Sequence, residues 1–229
     1  MSHAREARCL LRAHRYGVLS TLSKRFDGHP FGSIAPYLAD HDGSVLLFIS
    51  GLAEHTKNLL QNPRVSLLTH DQNDPHIQTQ GRLTVVGEAH PIDNREPYEK
   101  RWLRHFPENA QLFELGDFSF FRIVPQAVRH VAGFGQARWI NSNFCAASST
   151  LALESENLLT RINAELPHLI KACLQRQSMS PQHWQTIDID CDGVTVMADQ
   201  KMLRLNFPTL APDAQSVLGM LHRMAETTI

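Results

Sequence analysis

Short β-type segments separated by turn residues fill most of the first 140 positions, and this pattern constrains the fold more than any other feature. Six such segments lie between Tyr16 and Ile140. The dipeptides Asp27-Gly28 and Asp42-Gly43 are typical of turns between adjacent strands. Few helical segments separate the strands, whereas a parallel sheet needs a long crossover, usually a helix, after each strand. We therefore expect an antiparallel β-barrel.

The pattern within each segment predicts how that strand is buried. The segment "YGVLSTLS" predicts a strand, whereas "SVLLFIS" is almost continuously apolar and predicts a strand buried on both faces. Pro30 and Pro36 indicate an edge position or a bulge in "HPFGSIAPYLAD". The other predicted strands are "RVSLLTH", "GRLTVVGEAHPI" and the segment from Phe118 to Ile140. Helices are predicted over residues 4–14, 52–61 and 93–116, the last with a break at Pro107.

The character of the chain changes after Ile140, which predicts a second domain. Residues 141–157 are small and polar and are typical of a linker. A helical segment interrupted at Pro167, alternating segments joined by an Asp-Gly turn and an amphipathic helix follow. We expect an α+β protein with a barrel domain over residues 1–145 and a small α+β domain over residues 146–229.

Composition narrows the classes of partner. The chain is 42% hydrophobic and 20% charged, with a formal net charge of −1, which argues against nonspecific nucleic-acid binding. Four scattered cysteines favour reduced thiols over a zinc site or disulfides, and the run "DIDCDG" is more typical of a hairpin than of a calcium loop. No apolar run reaches the length of a membrane span. We expect a cytoplasmic protein without a metal site and without nucleic-acid or membrane partners.

A histidine and a lysine stand at the start of the helix predicted over residues 52–61. Helix starts favour anions, because their first N–H groups lack intrahelical acceptors. His55, Thr56 and Lys57 could therefore form a phosphate or carboxylate site. From spacing alone, a surface helix with two solvated cations remains the commoner explanation.

The helical period predicts which side of this segment is buried. At 100° per residue, Leu52, Leu59 and Leu60 share an apolar face. Glu54 and Asn58 point the other way, toward solvent.

Two stretches closely resemble the FMN-binding split barrel of the pyridoxamine 5'-phosphate oxidase superfamily: "GSIAPYLADHDGSVLLFISGLAEHTKNLLQNPRVSLL" and, after it, "QGRLTVVGEA". The resemblance covers roughly residues 5–140. The later "HVAGFGQARWI" resembles a signature of the branch of haem-utilisation proteins called Hug and Hut, and residues 150–229 resemble the small domain appended in that branch. The resemblance implies a split β-barrel that holds FMN between the two subunits of a homodimer.

The resemblance also implies which residues surround the flavin ring and its phosphate. Four consecutive residues before Pro36 match the strand whose backbone runs beside the ring. The end of "SVLLFIS" matches the strand end beside the ribityl chain, and the following helix start matches the segment that grips the phosphate. These residues are Gly32, Ser33, Ile34, Ala35, Ile49, Ser50, His55, Thr56 and Lys57.

Four further cofactor residues are implied in the same way. Arg82 matches a polar side chain that faces the pyrimidine edge of the ring. Gln136, Arg138 and Trp139 match the last barrel strand, which reaches the cofactor of a neighbouring subunit. In one departure, Glu54-His55 replaces the arginine–lysine pair of the oxidases. Because an acid weakens anion binding unless it points to solvent, we expect a low affinity for flavin.

Three functions are consistent with the resemblance. The first is a dimeric, FMN-dependent oxidoreductase of unknown substrate, in which the flavin carries the electron chemistry and no protein side chain is evident as catalytic. The second is a haem-binding or haem-degrading protein of iron acquisition, and the third is a non-catalytic module for a tetrapyrrole or a protein partner. Haem-degrading relatives hold iron through a histidine beyond the "GFGQA" motif. No histidine of this chain matches that position, so the resemblance implies no iron ligand here. The remaining candidates are His14, His130, His168 and His183.

Overall fold

A computed structural model of the chain describes residues 2–76, 78–133, 136–140, 144 and 150–226. The chain divides into two compact units, Met1–Cys145 and Ala146–Ile229, and each has its own apolar core. Among the described residues, no helix is both long and apolar enough to cross a membrane.

The described part of the first unit contains eight strands and three α-helices. The strands are β1 (Tyr16–Leu22), β2 (Pro30–Pro36), β3 (Leu38–Ala39), β4 (Val45–Ser50), β5 (Arg64–His70), β6 (Arg82–Pro91), β7 (Phe118–Val131) and β8 (Ala137–Ile140). The helices are α1 (His3–Ala13), α2 (Glu54–Gln61) and α3 (Glu96–His105), and a 3-10 helix spans Pro107–Phe113. Two of the six predicted segments each form two strands, which explains why the structure has eight.

The strands of the first unit form one antiparallel sheet in the order β2-β1-β5-β6-β7-β4-β3. β7 pairs with β6 along one edge, and its other edge pairs first with β4 and then with β8. β2 also contacts β4, which lies far from it in the strand order, so the sheet curls on itself. The predicted antiparallel split barrel is confirmed, and β2 is an edge strand as its two prolines indicate.

β4 lies between two apolar clusters, as its continuous apolar sequence predicts. Leu47 points into the barrel core, whereas Phe48 lies in an aromatic cluster with Trp102 of α3. The rings of Phe48 and Trp102 are 5.8 Å apart in an edge-on arrangement. The end of β4 leads directly into the loop before α2, so burial on both faces holds this loop in place.

The second unit contains a three-stranded antiparallel sheet and three helices among its described residues. These are α4 (Leu151–Glu165), α5 (Pro167–Arg176), β9 (Trp184–Asp190), β10 (Gly193–Ala198), β11 (Lys201–Asn206) and α6 (Ala214–Glu226), with strand order β11-β10-β9. The predicted α+β character is confirmed. The predicted linker is wrong for residues 151–157, which form the first turns of α4, because Leu151 and Leu158 are buried in the core of this unit. Residues 141–143 and 145–149 of that linker lie outside the described residues.

Candidate functional site

Helix α2 begins without a side-chain cap. Its N-cap residue is Ala53, whose carbonyl accepts hydrogen bonds from the backbone N–H groups of Thr56 (3.1 Å) and Lys57 (3.2 Å). The N–H groups of Glu54 and His55 precede these and have no acceptor within the helix. The helix start therefore keeps donors that can bind an oxygen atom of a ligand.

The side chain of His55 connects α2 to the edge strand β2. Its Nδ1 lies 3.1 Å from the hydroxyl of Ser33, which pairs with Leu19 of β1 on the inner face of the sheet. Burial lowers the pKa of His55 below its ordinary value, so the imidazole is neutral at pH 7. Its Nε2 is buried and has no hydrogen-bond partner in the described part of the chain.

The next residue, Thr56, presents a second unpaired polar atom. Its side chain is 2% exposed, and its hydroxyl Oγ1 has no hydrogen-bond partner among the described residues. An unsatisfied buried polar group costs about 1–3 kcal/mol. His55 and Thr56 are consecutive residues, so two unpaired polar atoms lie in the first turn of α2.

The burial of α2 differs from the face expected from the helical period. Leu52 and Leu60 are 74% and 67% exposed, so the prediction that they share a buried face with Leu59 is wrong. The residues that α2 buries are Thr56, Asn58 and Leu59. Polar contacts of Asn58 with β1 and with the turn after it orient this helix instead.

Asn58 makes those polar contacts. Its side-chain amide donates to the hydroxyl of Thr21 in β1 at 2.9 Å, and its carbonyl oxygen accepts from the backbone N–H of Lys24 at 2.8 Å. These bonds fix α2 to the end of β1 and to the turn that leads into β2. Sequence analysis missed this role because a polar residue on a short helix is ordinarily assigned to solvent.

Two carboxylates lie at the start of α2. Glu54 is 4.0 Å from the ammonium group of Lys57, and both side chains are partly exposed. The hydroxyl of Ser50 donates to the carboxylate of Asp117, and it also accepts from the backbone N–H of Leu52 at 3.1 Å. Asp117 lies 67 positions after Ser50, and no local sequence signal connects them.

The other residues implied to lie beside the ring occupy β2 and β4. Ile34 and Gly32 face outward on β2, and Ala35 is fully buried on the opposite side. Ile49 is buried at the end of β4, next to Ser50. The structure thus places Ser33, His55 and Thr56 together, with Ser50 one turn before the helix.

Four implied cofactor residues lie elsewhere in the sheet. Arg82 begins β6 and donates to the backbone carbonyl of Gln78 at 3.3 Å. Gln136, Arg138 and Trp139 are exposed in or just before β8. No hydrogen bond or ion pair joins any of the four to α2 within the described residues.

An apolar row crosses the outer face of the first sheet. Val18 pairs with Ile34 on one side and with Leu68 on the other, and all three are exposed. The row continues through Thr84 and Arg129 to Trp139, where the Arg129 guanidinium lies 5.4 Å from the indole ring centroid. Half-buried Thr84 and Arg129 separate the three exposed apolar residues from exposed Trp139. We call these six residues the outer row.

The candidate haem-ligand histidines fall into two groups. His14 and His130 are buried, and burial lowers the pKa of both below the ordinary value. His168 at the start of α5 and His183 before β9 are exposed. Of these four histidines, only His168 and His183 are exposed enough for an iron atom to reach them without a change in the fold.

Comparison with known proteins supports the family suggested by the sequence. Residues 4–132 match the model of the pyridoxamine 5'-phosphate oxidase family. Over 99% of its length the chain is 31% identical to the non-canonical haem oxygenase HOZ of Arabidopsis thaliana, of which it covers 74%. Over 126 residues it is 29% identical to the haem oxygenase HutZ of Vibrio cholerae, a match that covers 51% of this chain and 69% of HutZ.

A solved structure has the same fold over almost the whole chain. It is the crystal structure of a protein of unknown function from Agrobacterium tumefaciens, which is 22% identical and superposes with a TM-score of 0.80. The superposition covers 96% of this chain and 94% of that protein. Taken with the two haem oxygenases, these matches show that the chain belongs to the haem-utilisation branch of the pyridoxamine 5'-phosphate oxidase superfamily.

Proposed function

We propose that this chain is a haem-binding protein of the haem oxygenase type. One observation carries the proposal: the similarity to HOZ extends over 99% of the chain and so includes both units. The match to the oxidase family model ends at residue 132 and leaves the second unit unexplained. A haem oxygenase therefore accounts for more of this chain than an FMN-dependent oxidase does.

The cofactor site is proposed at the residues around the start of α2 and along the outer face. The unpaired Nε2 of His55 and hydroxyl of Thr56 support this position, because haem carries carboxylates that need donors. The proposed contact residues are Gly32, Ser33, Ile34, Ala35, Ile49, Ser50, His55, Thr56, Lys57, Arg82, Gln136, Arg138 and Trp139. When bound, haem would supply an iron centre for reaction with oxygen.

Each of the four candidate histidines is tested as the iron ligand by its own substitution. Iron binds a neutral imidazole through a nitrogen that the solvent can reach. His168 and His183 are exposed in the second unit, whereas His14 and His130 are buried in the first unit, which also contains α2.

A homodimer is the proposed assembly. The outer row supports it, because Ile34, Val18 and Leu68 place exposed apolar side chains in one line across three strands. A second copy that covers this line would remove apolar surface from water.

A haem titration of the full chain tests the proposal. We expect a saturable Soret band. Among His14, His130, His168 and His183, we expect replacement of the ligand histidine by alanine to change the position of the band and replacement of the other three to leave it unchanged. Loss of the Soret band in the presence of a reductant and oxygen would indicate degradation rather than binding alone. A band that persists under those conditions would favour a non-catalytic tetrapyrrole-binding module, and the absence of any Soret band would contradict the proposal.

FMN binding is the second candidate, supported by the family match over residues 4–132. It would make the chain an FMN-dependent oxidoreductase. A parallel titration with FMN, followed by quenching of flavin fluorescence, separates the two. Flavin binding without haem binding would favour this second candidate.

A further inference from the structure

The start of α2 offers hydrogen-bond donors in an environment that opposes a double negative charge. The carboxylate of Glu54 lies within the first turn, and the carboxylate of Asp117 accepts from Ser50 just before the helix. Lys57 is the cation of this turn, and it is already 4.0 Å from Glu54. Each carboxylate repels a phosphate dianion twice as strongly as it repels a monoanion at the same distance.

The hydrogen bonds of Ser33 bear on which nitrogen of the His55 imidazole carries the proton. The Ser33 hydroxyl lies 3.1 Å from Nδ1 of His55 and 3.5 Å from the carbonyl oxygen of Leu19. The contact with Leu19 is at the limit of hydrogen-bond distance, so we assign the hydroxyl proton to the contact with Nδ1. A neutral imidazole that accepts at Nδ1 carries its proton on Nε2. Nε2 of His55 is therefore a donor.

The hydroxyl of Thr56 is the second donor. It is on the residue after His55, its side chain is 2% exposed, and it has no partner among the described residues. His55 is half-buried as a residue, whereas Thr56 is buried. Two neutral donors suit a carboxylate, whereas a phosphate dianion in proteins is ordinarily offset by cations.

We propose that Nε2 of His55 and Oγ1 of Thr56 bind a singly charged carboxylate, and that this group is a propionate of haem. The inference rests on the proposed haem function. It adds to that function the chemical group of haem, a propionate, that α2 binds. It also implies that this helix start, which the family resemblance assigns to the phosphate of FMN, has lost its preference for phosphate in this chain.

Two pairs of ligands test the inference on the full chain. Haem carries two propionate carboxylates, which its dimethyl ester replaces with neutral methyl esters, and FMN differs from riboflavin only in the phosphate. We expect haem to bind about tenfold more tightly than the ester, the worth of one charge-assisted hydrogen bond. We expect FMN and riboflavin to bind equally weakly.

Substitutions in α2 test whether the preference for haem over its dimethyl ester comes from this helix. Thr56→Val keeps the shape and removes the hydroxyl, and we expect it to reduce the ratio of haem to ester affinity several-fold. Thr56→Ser keeps the hydroxyl and should retain the ratio, which separates loss of the donor from loss of folding. Thr160→Val is the matched control, because Thr160 is an exposed helical threonine in the second unit.

The outcomes separate the inference from the function on which it rests. Equal affinities for haem and its ester, or an unchanged ratio in Thr56→Val, would overturn the inference and leave haem binding intact. Tighter binding of FMN than of riboflavin would overturn the preference against phosphate. If neither haem nor its ester gives a Soret band, the proposed function fails and the inference fails with it.

Discussion

At Asn58 a polar side chain occupies a fully buried position on helix α2. Its amide holds the hydroxyl of Thr21, and its carbonyl oxygen holds the N–H of Lys24. α2 has only eight residues, and helices of that length are unstable on their own. The orientation of His55 and Thr56 therefore depends on a hydrogen-bonded contact with β1 as well as on apolar packing of Leu59.

Replacement of Asn58 by alanine tests this dependence. We expect Asn58→Ala to lower the free energy of unfolding by about 1–3 kcal/mol, because two buried partners lose their hydrogen bonds. The measurement is denaturant unfolding of the full chain, with Gln61→Ala as the control. Gln61 is exposed on the same helix and its substitution should cost less than about 0.5 kcal/mol. Equal effects of the two substitutions would contradict the role of Asn58.

Strands β6 and β7 are joined by an irregular register at Gly87. The register between them shifts at Val86/Gly87, so that Gly87 lies opposite Pro125. A Cβ atom at Gly87 would lie 2.2 Å from the carbonyl oxygen of Val124, a distance that only backbone movement could relieve. This bulge bends the two longest strands of the sheet and contributes to its curvature.

Alanine at this position should therefore disturb the sheet. We expect Gly87→Ala to destabilise the first unit by about 1–3 kcal/mol or more, since its Cβ meets backbone rather than a movable side chain. Gly116→Ala is the control, because a Cβ there meets no atom within 4 Å. Thermal unfolding of both variants measures the effect. If Gly87→Ala is as stable as Gly116→Ala, the two strands can move apart at this point without a loss of stability, and the prediction is wrong.

For the molecule as a whole, the outer row determines the expected assembly. Ile34 is 74% exposed at one end of the row, and Trp139 is exposed at the other end. Isolated apolar residues on a surface are ordinary, but a line across the sheet is unusual for a monomer. The row therefore supports burial against a second copy of the chain.

A charge placed in the row should prevent that association. We expect the wild-type chain to sediment as a dimer and Ile34→Glu to sediment as a monomer, because the glutamate would be desolvated in the interface. Leu153→Glu is the control, since Leu153 is exposed on α4 outside the row. A monomeric wild-type chain at micromolar concentration, or a dimeric Ile34→Glu variant, would contradict the proposed interface.

The local sequence pattern was sufficient to predict the helices and strands, but it did not predict which face of α2 is buried. The alternation in β1, the apolar run in β4 and the prolines of β2 predict strands in their observed places, because burial of one face or two is visible within a few residues. The same reasoning assigned Leu52 and Leu60 to the core and Asn58 to solvent, and all three assignments are wrong. Their burial depends on which groups of β1 face the helix, and periodicity carries no information about that.

The sequence by itself determined the antiparallel arrangement of short strands and the presence of the short helix α2 after β4, because both follow from neighbouring residues. Only the tertiary structure decided which groups meet at that helix. Ser33 and His55 are 22 positions apart, and Ser50 and Asp117 are 67 positions apart. Such contacts form when the sheet curls and brings distant strand ends together, and they decide the charge and the donors that a ligand meets.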